Sequence, residues 1–225
     1  PFDAIEDGSY PVLIARLKVM AGLDPQRRKQ PQYGTMIVQT DGEPAELLVN
    51  VLPSVSGEDM AIVLTGSRTS IGLEDLDIGD RERARLRELA RRPSGLVLCS
   101  SPSSQDLAGL LHAMTLEIDA TTRRVIAIED TVARRIPNAT QVRTDLSRGF
   151  DFVAATAAAL RHGADALAVG EVRDPDTFRS LANAASRGML ILAGLPYSDG
   201  PTALRGLLDM GIRPHEISMA ASAGV

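Results

Sequence analysis

The sequence is poor in cysteine and in aromatic residues. Among its 225 residues there are one cysteine, no tryptophan, three tyrosines and four phenylalanines. A single cysteine cannot form an internal disulfide, and the apolar neighbours of Cys99 predict a small core residue. This usage fits a reducing compartment, so we expect a cytoplasmic protein.

Long hydrophobic runs and a strong excess of one charge are also lacking. No apolar run approaches the roughly 20 residues that span a bilayer, and no signal peptide is visible, so no direct membrane insertion is expected. The 24 basic and 29 acidic residues give a net charge of −5. This balance gives no reason to expect a nucleic acid or an anionic membrane as a partner.

The three histidines show no pair with the spacing of metal ligands, so no metal site is predicted. We expect His112, His162 and His215 to be solvated or hydrogen-bonded.

The chain opens with Pro1 rather than methionine and stops at Val225 inside an apolar, helix-like run. We therefore interpret the sequence as a fragment of a longer protein.

With 44% apolar residues the chain has enough material for one or two cores. Residues 1–70 are predicted to form a small mixed α/β domain. Its helix is expected from about Tyr10 to Ala21, capped by Ser9 and ended by Gly22. Three strands are predicted after it, with turns at 41–42 and 56–57: Thr35–Thr40, Glu46–Leu52 and Met60–Leu64.

Residues 71–92 are predicted to be a linker followed by a charged helix. The polar, glycine-bearing stretch 66–80 is the best linker candidate. Asp80 is expected to cap the helix Arg81–Arg91, whose charges are most simply a solvated face with pairs at helical spacing.

From residue 93 to 225, short apolar runs alternate with helical stretches, which predicts an α/β domain with a mainly parallel sheet. The predicted strands are Leu96–Cys99, Val125–Ile128, Ala166–Val169 and Met189–Ala193. The predicted helices are Asp106–Leu116, Phe152–Arg161, Pro175–Ser186 and Pro201–Met210.

The segment 95–111 leads from a buried strand through a small polar loop into a helix, which is the context of a phosphate-binding P-loop. Such a loop uses backbone N–H groups, a lysine and a Ser/Thr hydroxyl to hold phosphates and Mg²⁺. The pattern G-x-x-x-x-G-K-[ST] is absent, because its four defining positions are occupied by Ser101, Asp106, Leu107 and Ala108.

The order of motifs along nearly the whole chain resembles the ATPases of type II secretion and type IV pilus assembly. The matching segments in the first part, similar to the smaller domain of that family, are Arg16–Asp24, Pro31–Gly34 and Leu52–Glu58. In the second part, Arg92–Leu98 resembles the run into the phosphate loop and Ile128–Asp130 resembles the Asp box. Val169–Asp174 resembles the Walker B region, and Gly206–Gly211 resembles the run after the His box.

The resemblance implies a RecA-like, P-loop NTPase-type domain preceded by a small PAS-like α/β domain. It also implies a hexamer that holds ATP and Mg²⁺ between the two domains. Glu129 and Asp130 would belong to the Asp box and Glu171 to Walker B. Arg161 and Arg173 also match the family's pattern.

The departures from the family concentrate at the nucleotide. The degenerate phosphate loop comprises Ser101, Ser103, Ser104, Gln105, Asp106, Leu107 and Ala108, with Leu107 at the lysine position and Ala108 at the hydroxyl position. The Asp box continues as Thr131–Arg134, without the usual proline and second glutamate. Met189 and Pro196 replace the two His-box histidines. Leu48, Val63 and Ala157 occupy arginine positions of the family.

Each charge-assisted hydrogen bond to a phosphate contributes about 1.5–3 kcal/mol. A carboxylate about 4 Å from a phosphate charge repels it by roughly 4 kcal/mol at an effective dielectric near 20. We therefore expect that Asp106 and the lost cations abolish nucleotide binding, and that no cofactor is bound. The carboxylates Glu129, Asp130 and Glu171 are then structural, for example through a pair between Glu171 and Arg173.

The first hypothesis is a pseudo-ATPase that serves a secretion or pilus machine, with machinery proteins, including an active ATPase homologue, as partners. It would be a cytoplasmic protein held near the inner membrane by those partners, and its oligomeric state stays open. The second is a weak or altered ATPase in which the helix N-terminus around 103–106 attracts the anion and Glu171 positions water. The third is a module for a neutral polar ligand, bound by Ser100, Ser101, Ser103 and Ser104.

Overall fold

The computed structural model describes residues 9–39, 44–65, 71–145 and 148–222. The chain divides into two compact units, Pro1–Arg68 and Thr69–Val225. Within the described ranges, no helix combines the length and the apolar composition needed to cross a bilayer.

The first unit consists of one helix and three antiparallel strands in the order β1-β2-β3. These elements are α1 (Tyr10–Met20), β1 (Gln32–Gln39), β2 (Pro44–Ser54) and β3 (Gly57–Thr65). Each strand is longer than the apolar pattern predicted, because pairing between neighbouring strands extends into polar residues.

The ends of these elements test the predicted turn signals. Gly22 ends α1 in the left-handed conformation with φ 71°, as predicted. The predicted cap is wrong, because Ser9 has a helical backbone and its side chain makes no capping bond. The turn before Gly57 is confirmed by the pairing of Ser54 with Gly57. The predicted turn at 41–42 lies outside the described residues.

The small core of the first unit contains a buried charge. Met36, Val49 and Val51 form the apolar centre beside α1. Lys18 projects from α1 with a fully buried side chain, and its Nζ lies 2.7 Å from Glu58 Oε1 and 3.0 Å from the Arg27 carbonyl oxygen. A buried ammonium group is tolerated only with such partners, because it has lost its hydration.

The second unit is a five-stranded, wholly parallel sheet in the order β4-β8-β7-β5-β6, accompanied by helices. Its strands are β4 (Gly95–Ser100), β5 (Val125–Glu129), β6 (Thr140–Arg143), β7 (Ala166–Val169) and β8 (Leu190–Leu195). Its α-helices are α2 (Asp80–Ala90), α3 (Ser104–Leu116), α4 (Phe152–Arg161), α5 (Pro175–Ser186), α6 (Gly200–Asp209) and α7 (Pro214–Ser222). The predicted α/β fold with a parallel sheet is confirmed.

The stretch predicted as a linker belongs in part to the second unit. A 3-10 helix, Leu73–Asp75, precedes α2, and Leu73 is buried in the core beneath α3. The cap of α2 is Gly79, whereas Asp80 lies in the first turn. The predicted charge pairs at helical spacing are confirmed in α2 by Arg83 with Asp80 and by Arg85 with Glu88. Arg87 and Arg91 bond instead to Glu117 at the end of α3.

Two elements escaped the sequence prediction. The strand β6 is short and carries Gln141 and Arg143, so it lacks the apolar run that marked the other strands. The helix α7 was anticipated only as a helix-like run at the end of the chain. Cys99 is buried, as predicted, and burial raises the pKa of its thiol to about 12.

The carboxyl ends of β7 and β8 approach each other closely at two glycines. A Cβ atom on Gly194 would lie 2.1 Å from the Gly170 carbonyl oxygen and 2.9 Å from Leu107 Cδ2. The Gly194 carbonyl accepts a hydrogen bond from the Val172 N–H at 2.8 Å. The backbone at this point therefore has no room for a side chain on β8.

We expect Gly194→Ala to lower the free energy of unfolding by about 2–4 kcal/mol, because the clash is with backbone that cannot rotate away. The matched control is Gly109→Ala in α3, where a Cβ meets nothing within 4 Å. That substitution should stabilise the helix by about 1 kcal/mol. Urea unfolding followed by circular dichroism measures both, and equal stabilities for the two variants would contradict this packing.

We expect Glu58→Gln to lower the stability of the first unit by about 2–4 kcal/mol, since it leaves the Lys18 ammonium group buried without a counter-charge. The double variant Lys18→Met, Glu58→Gln should recover most of that loss, because the buried charge is gone. Thermal unfolding of the single and double variants tests the coupling. Additive losses would show that the two side chains do not act as a pair.

Candidate functional site

The candidate site residues gather at one edge of the parallel sheet. The loop after β4, the end of β5 and the residues after β7 all lie where the strands finish. Carboxyl ends of parallel strands share one edge, and this is where open α/β sheets bind ligands. The structure therefore brings Glu129, Asp130 and Glu171 to the same edge as the loop 101–103.

The loop before α3 satisfies part of its own hydrogen bonding. Ser103 is the N-cap of α3, and its Oγ accepts a bond from the Asp106 N–H at 3.2 Å. The Ser103 N–H in turn donates to Ser101 Oγ at 3.2 Å. Two amides that would face an anion in a phosphate loop are thus bonded to the loop's own hydroxyl groups.

Leu107, which the resemblance places at the family's lysine position, points into the core. Leu107 is 2% exposed and belongs to the apolar cluster between α3 and the sheet, next to Gly194. Its neighbours in the first turn and a half, Gln105, Asp106 and Ala108, are exposed. The loop contains no lysine, and the methyl side chain of Ala108 has no oxygen that could bind a metal ion.

The carboxyl group of Glu129 is largely buried. Gln141 on β6 donates to Glu129 Oε1 at 3.0 Å and to the Arg134 carbonyl at 2.7 Å. Burial raises the pKa of Glu129, the charge of Asp130 acts in the same direction, and the bond from Gln141 opposes them. Asp130 is exposed and accepts from the N–H of Thr131.

Glu171 forms an ion pair rather than standing free. Arg173 Nη2 lies 2.6 Å from Glu171 Oε2, which confirms the pairing expected from the sequence. The hydrogen bond with Glu171 raises the pKa of Arg173, although burial opposes it. The next acidic residue, Asp174, caps α5 by accepting from the Thr177 N–H at 2.7 Å.

Two of the four arginine positions that the resemblance implies lie in α4, and the other two lie in the first unit. Arg161 is the last residue of α4, immediately before β7, and therefore lies at the opposite, amino edge of the sheet. Ala157 lies one turn earlier in α4. In the first unit, Leu48 and Val63 are paired across β2 and β3, on the face opposite Met36 and Val49.

A small cavity lies between α3 and the ends of β5 and β7, with a volume of about 40 Å³. It is lined on the polar side by Ser104, His112, Thr115, Glu129, Asp130, Thr131 and Glu171. Ligand pockets for drug-sized molecules are about 300–1,000 Å³. The cavity is therefore far too small for a nucleotide.

The structure corrects the expectation for His112. Its side chain is 6% exposed, and its Nε2 has no hydrogen-bond partner among the described residues. Burial lowers its pKa to about 4, and the charge of Arg134 acts in the same direction. The burial of His112 was not predicted, because the sequence of α3 alone does not show which strands pack against it. His162 and His215 are exposed, as expected.

The side chains of Leu107 and Ala108 offer neither a cation nor an oxygen to ATP with Mg²⁺. The lysine and hydroxyl positions are filled by Leu107 and Ala108, and the loop amides are bonded internally. Within the described ranges, no three His, Cys, Asp or Glu side chains are grouped so that they could hold a metal ion.

The sequence profile of the family described as Type II/IV secretion system protein matches residues 7–224. The type II secretion system protein HxcR of Pseudomonas aeruginosa is 31% identical over 206 residues, or 91% of this chain and 44% of that protein. The type IV pilus assembly ATPase PilB of Thermus thermophilus is 28% identical over 221 residues, or 98% of this chain and 25% of that protein. The chain thus spans less than half the length of these curated relatives.

Solved structures share the fold. The Legionella pneumophila ATPase DotB superposes with a TM-score of 0.71 at 16% identity, covering 97% of this chain and 62% of that one. The pilus retraction motor PilT, solved with ADP, gives a TM-score of 0.63 at 20% identity, covering 85% of this chain and 55% of that one. The α/β fold with its parallel sheet is therefore RecA-like.

The profile match over almost the entire chain and the RecA-like sheet agree with the order of motifs read from the sequence, and the chain belongs to the type II/IV secretion system protein family.

Proposed function

We propose that this protein is a pseudo-ATPase that serves a type II secretion or type IV pilus assembly machine in a structural or regulatory role. Relatives named for those two systems support the setting. The observation that carries the proposal is the burial of Leu107 in the core at the position where the family has its phosphate-binding lysine.

Three features of the loop act together against a triphosphate. The side chain of Leu107 contributes no cation, and Ala108 contributes no oxygen to Mg²⁺. Asp106 places a carboxylate in the first turn of α3, where it is stabilised by the helix dipole in place of a ligand's charge. Each lost charge-assisted bond removes about 1.5–3 kcal/mol of binding free energy.

The proposed partners are the machinery proteins, including an active ATPase homologue, and the proposed location is the cytoplasm, near the inner membrane. In this role the chain contributes its surface and scaffold rather than phosphoryl transfer. Phosphoryl transfer requires positioned cations and metal at the γ-phosphate, and Glu171 is engaged with Arg173 instead.

The alternative of a weak ATPase rests on the position of Glu171 at the carboxyl edge of the sheet, beside the α3 N-terminus. A neutral polar ligand held by the loop serines is the other alternative. It is weakened at Ser101 and Ser103, whose hydroxyl groups already accept bonds from loop amides.

We expect isothermal titration of the purified chain with ATP·Mg²⁺ to give no saturable heat at up to millimolar nucleotide, because the cations that hold the triphosphate are absent. A non-hydrolysable ATP analogue should behave in the same way. Micromolar binding accompanied by phosphate release would overturn the proposal. Glu171→Gln separates the alternatives, since only a working ATPase would lose turnover in that variant.

We expect Leu107→Lys to lower the free energy of unfolding by about 3–5 kcal/mol, because the ammonium group would replace an apolar side chain in the core. The volume-matched control, Leu107→Met, should cost less than about 1.5 kcal/mol. Chemical denaturation of both variants measures the difference. If the lysine variant were as stable as wild type and gained ATP affinity, position 107 would be free to face a phosphate.

A further inference from the structure

A groove lies between the ends of α4 and α5, at the amino edge of the parallel sheet and opposite the edge that carries the candidate site. Its walls come from the second half of α5, the last turn of α4 and the residues immediately before β7 and β8. Its volume is about 480 Å³, within the range of about 300–1,000 Å³ for sites that hold small molecules. We call it the amino-edge groove.

One wall of the amino-edge groove is a polar face of α5. Ser180, Asn183 and Arg187 follow one another at spacings of three and four residues, which places them on one face of the helix. Asn183 and Arg187 are exposed. None of the three side chains bonds to another residue in the described part of the chain. The wall therefore presents a hydroxyl, an amide and a guanidinium group that are available to a ligand.

Asp165, immediately before β7, supplies the opposite charge. Its backbone is fixed between strands, because its carbonyl oxygen accepts a bond from the Leu190 N–H at 3.2 Å and its N–H donates to the Arg124 carbonyl at 2.9 Å. Its Oδ2 accepts a bond from the Arg124 N–H at 2.7 Å. The side chain is exposed and forms no ion pair with any cation that the structure describes, Arg187 included. Its Oδ1 and its negative charge are therefore available to a ligand.

The groove carries two unpaired charges of opposite sign. The helix α4 ends four residues before Asp165, so the negative end of its dipole adds to the carboxylate and favours an ammonium group. Arg187 follows the last residue of α5, and its full charge exceeds the partial negative charge of about one half at that helix end. A guanidinium group donates two parallel hydrogen bonds to a carboxylate. A ligand with only one charge would leave one of these groups unmatched.

The remaining surface of the amino-edge groove is apolar. Leu160 and Met189 are half-buried, and Ala164 and Ala184 are buried. These side chains offer no hydrogen bonds, so an aliphatic group that covers them gains free energy by leaving water.

We propose that the amino-edge groove binds a small zwitterion with an apolar body, of the class of a dipeptide of aliphatic residues. Its carboxylate meets Arg187 and its ammonium group meets Asp165. Asn183, one turn before Arg187, is placed to bond with a peptide group. The site goes beyond the pseudo-ATPase proposal, because it uses the opposite edge of the sheet and none of the residues of the phosphate loop.

The test is a titration of the ¹⁵N-labelled chain with leucyl-leucine, followed through the backbone amide resonances of Asp165, Asn183 and Gly188. We expect saturable shifts with half-saturation at about 0.1–1 mM, the affinity of a ligand of this size at an ordinary efficiency for each atom. N-acetyl-leucyl-leucine lacks the ammonium group, and leucyl-leucinamide lacks the carboxylate. Each should bind about three- to tenfold more weakly, because one ion pair near the surface is lost.

Two variants assign each charge of the ligand to its partner. Arg187→Gln should weaken leucyl-leucine about three- to tenfold and leave leucyl-leucinamide unchanged, because the amide has no carboxylate to lose. Asp165→Asn keeps an acceptor for the Arg124 N–H, and it should weaken leucyl-leucine while leaving N-acetyl-leucyl-leucine unchanged. The matched control is Arg205→Gln, which changes an exposed arginine of α6 and should leave all three titrations unaltered.

Absence of a saturable shift with leucyl-leucine would overturn the proposal. Equal affinities of the wild-type chain for the three peptides would also overturn it, and this result does not depend on how any variant folds. An equal effect of Arg187→Gln on all three peptides would show that the guanidinium group does not meet the carboxylate, which contradicts the proposal. Because the probes carry no phosphate, their failure leaves the ATP titration to decide the pseudo-ATPase proposal separately.

Discussion

The packing of Leu107 against the ends of β7 and β8 is the contact on which the candidate site depends. The Gly170 carbonyl lies so close to Gly194 that β8 has no space for a side chain there, and Leu107 from α3 packs against the same point. A leucine here gains the free energy of apolar burial, about 1.5–3 kcal/mol, which a lysine would forgo. The same contact that anchors α3 therefore removes the cation from the edge of the sheet.

The loop before α3 is consistent with that change. A phosphate loop leaves its amides free and relies on the ligand to bond with them. Here Ser101 and Ser103 accept two of those bonds, and Asp106 supplies a negative charge to the helix N-terminus. The loop thus bonds two of its own amides through its own side chains.

The sequence predicted those parts of the fold that depend on local pattern. β5, β7 and β8 are apolar runs buried on both faces, and α5 begins after the Asp174 cap. β6 was missed because its polar residues pair only with β5, a contact that no local pattern reveals. The absence of the P-loop pattern can be read from the sequence, but the inward direction of Leu107 cannot, because it depends on packing against the end of β8.

Two buried polar side chains, Lys18 and His112, differ in whether the fold supplies their hydrogen-bond partners. Lys18 in the first unit is fully buried and meets both Glu58 and a backbone carbonyl, so its charge is compensated within the fold. His112 in the second unit is buried nearly as deeply, yet its Nε2 meets none of the described residues. A group kept for stability alone would gain more from an internal partner or from an apolar replacement. The lowering of the His112 pKa to about 4 favours the neutral imidazole, whose burial costs less than that of a charge.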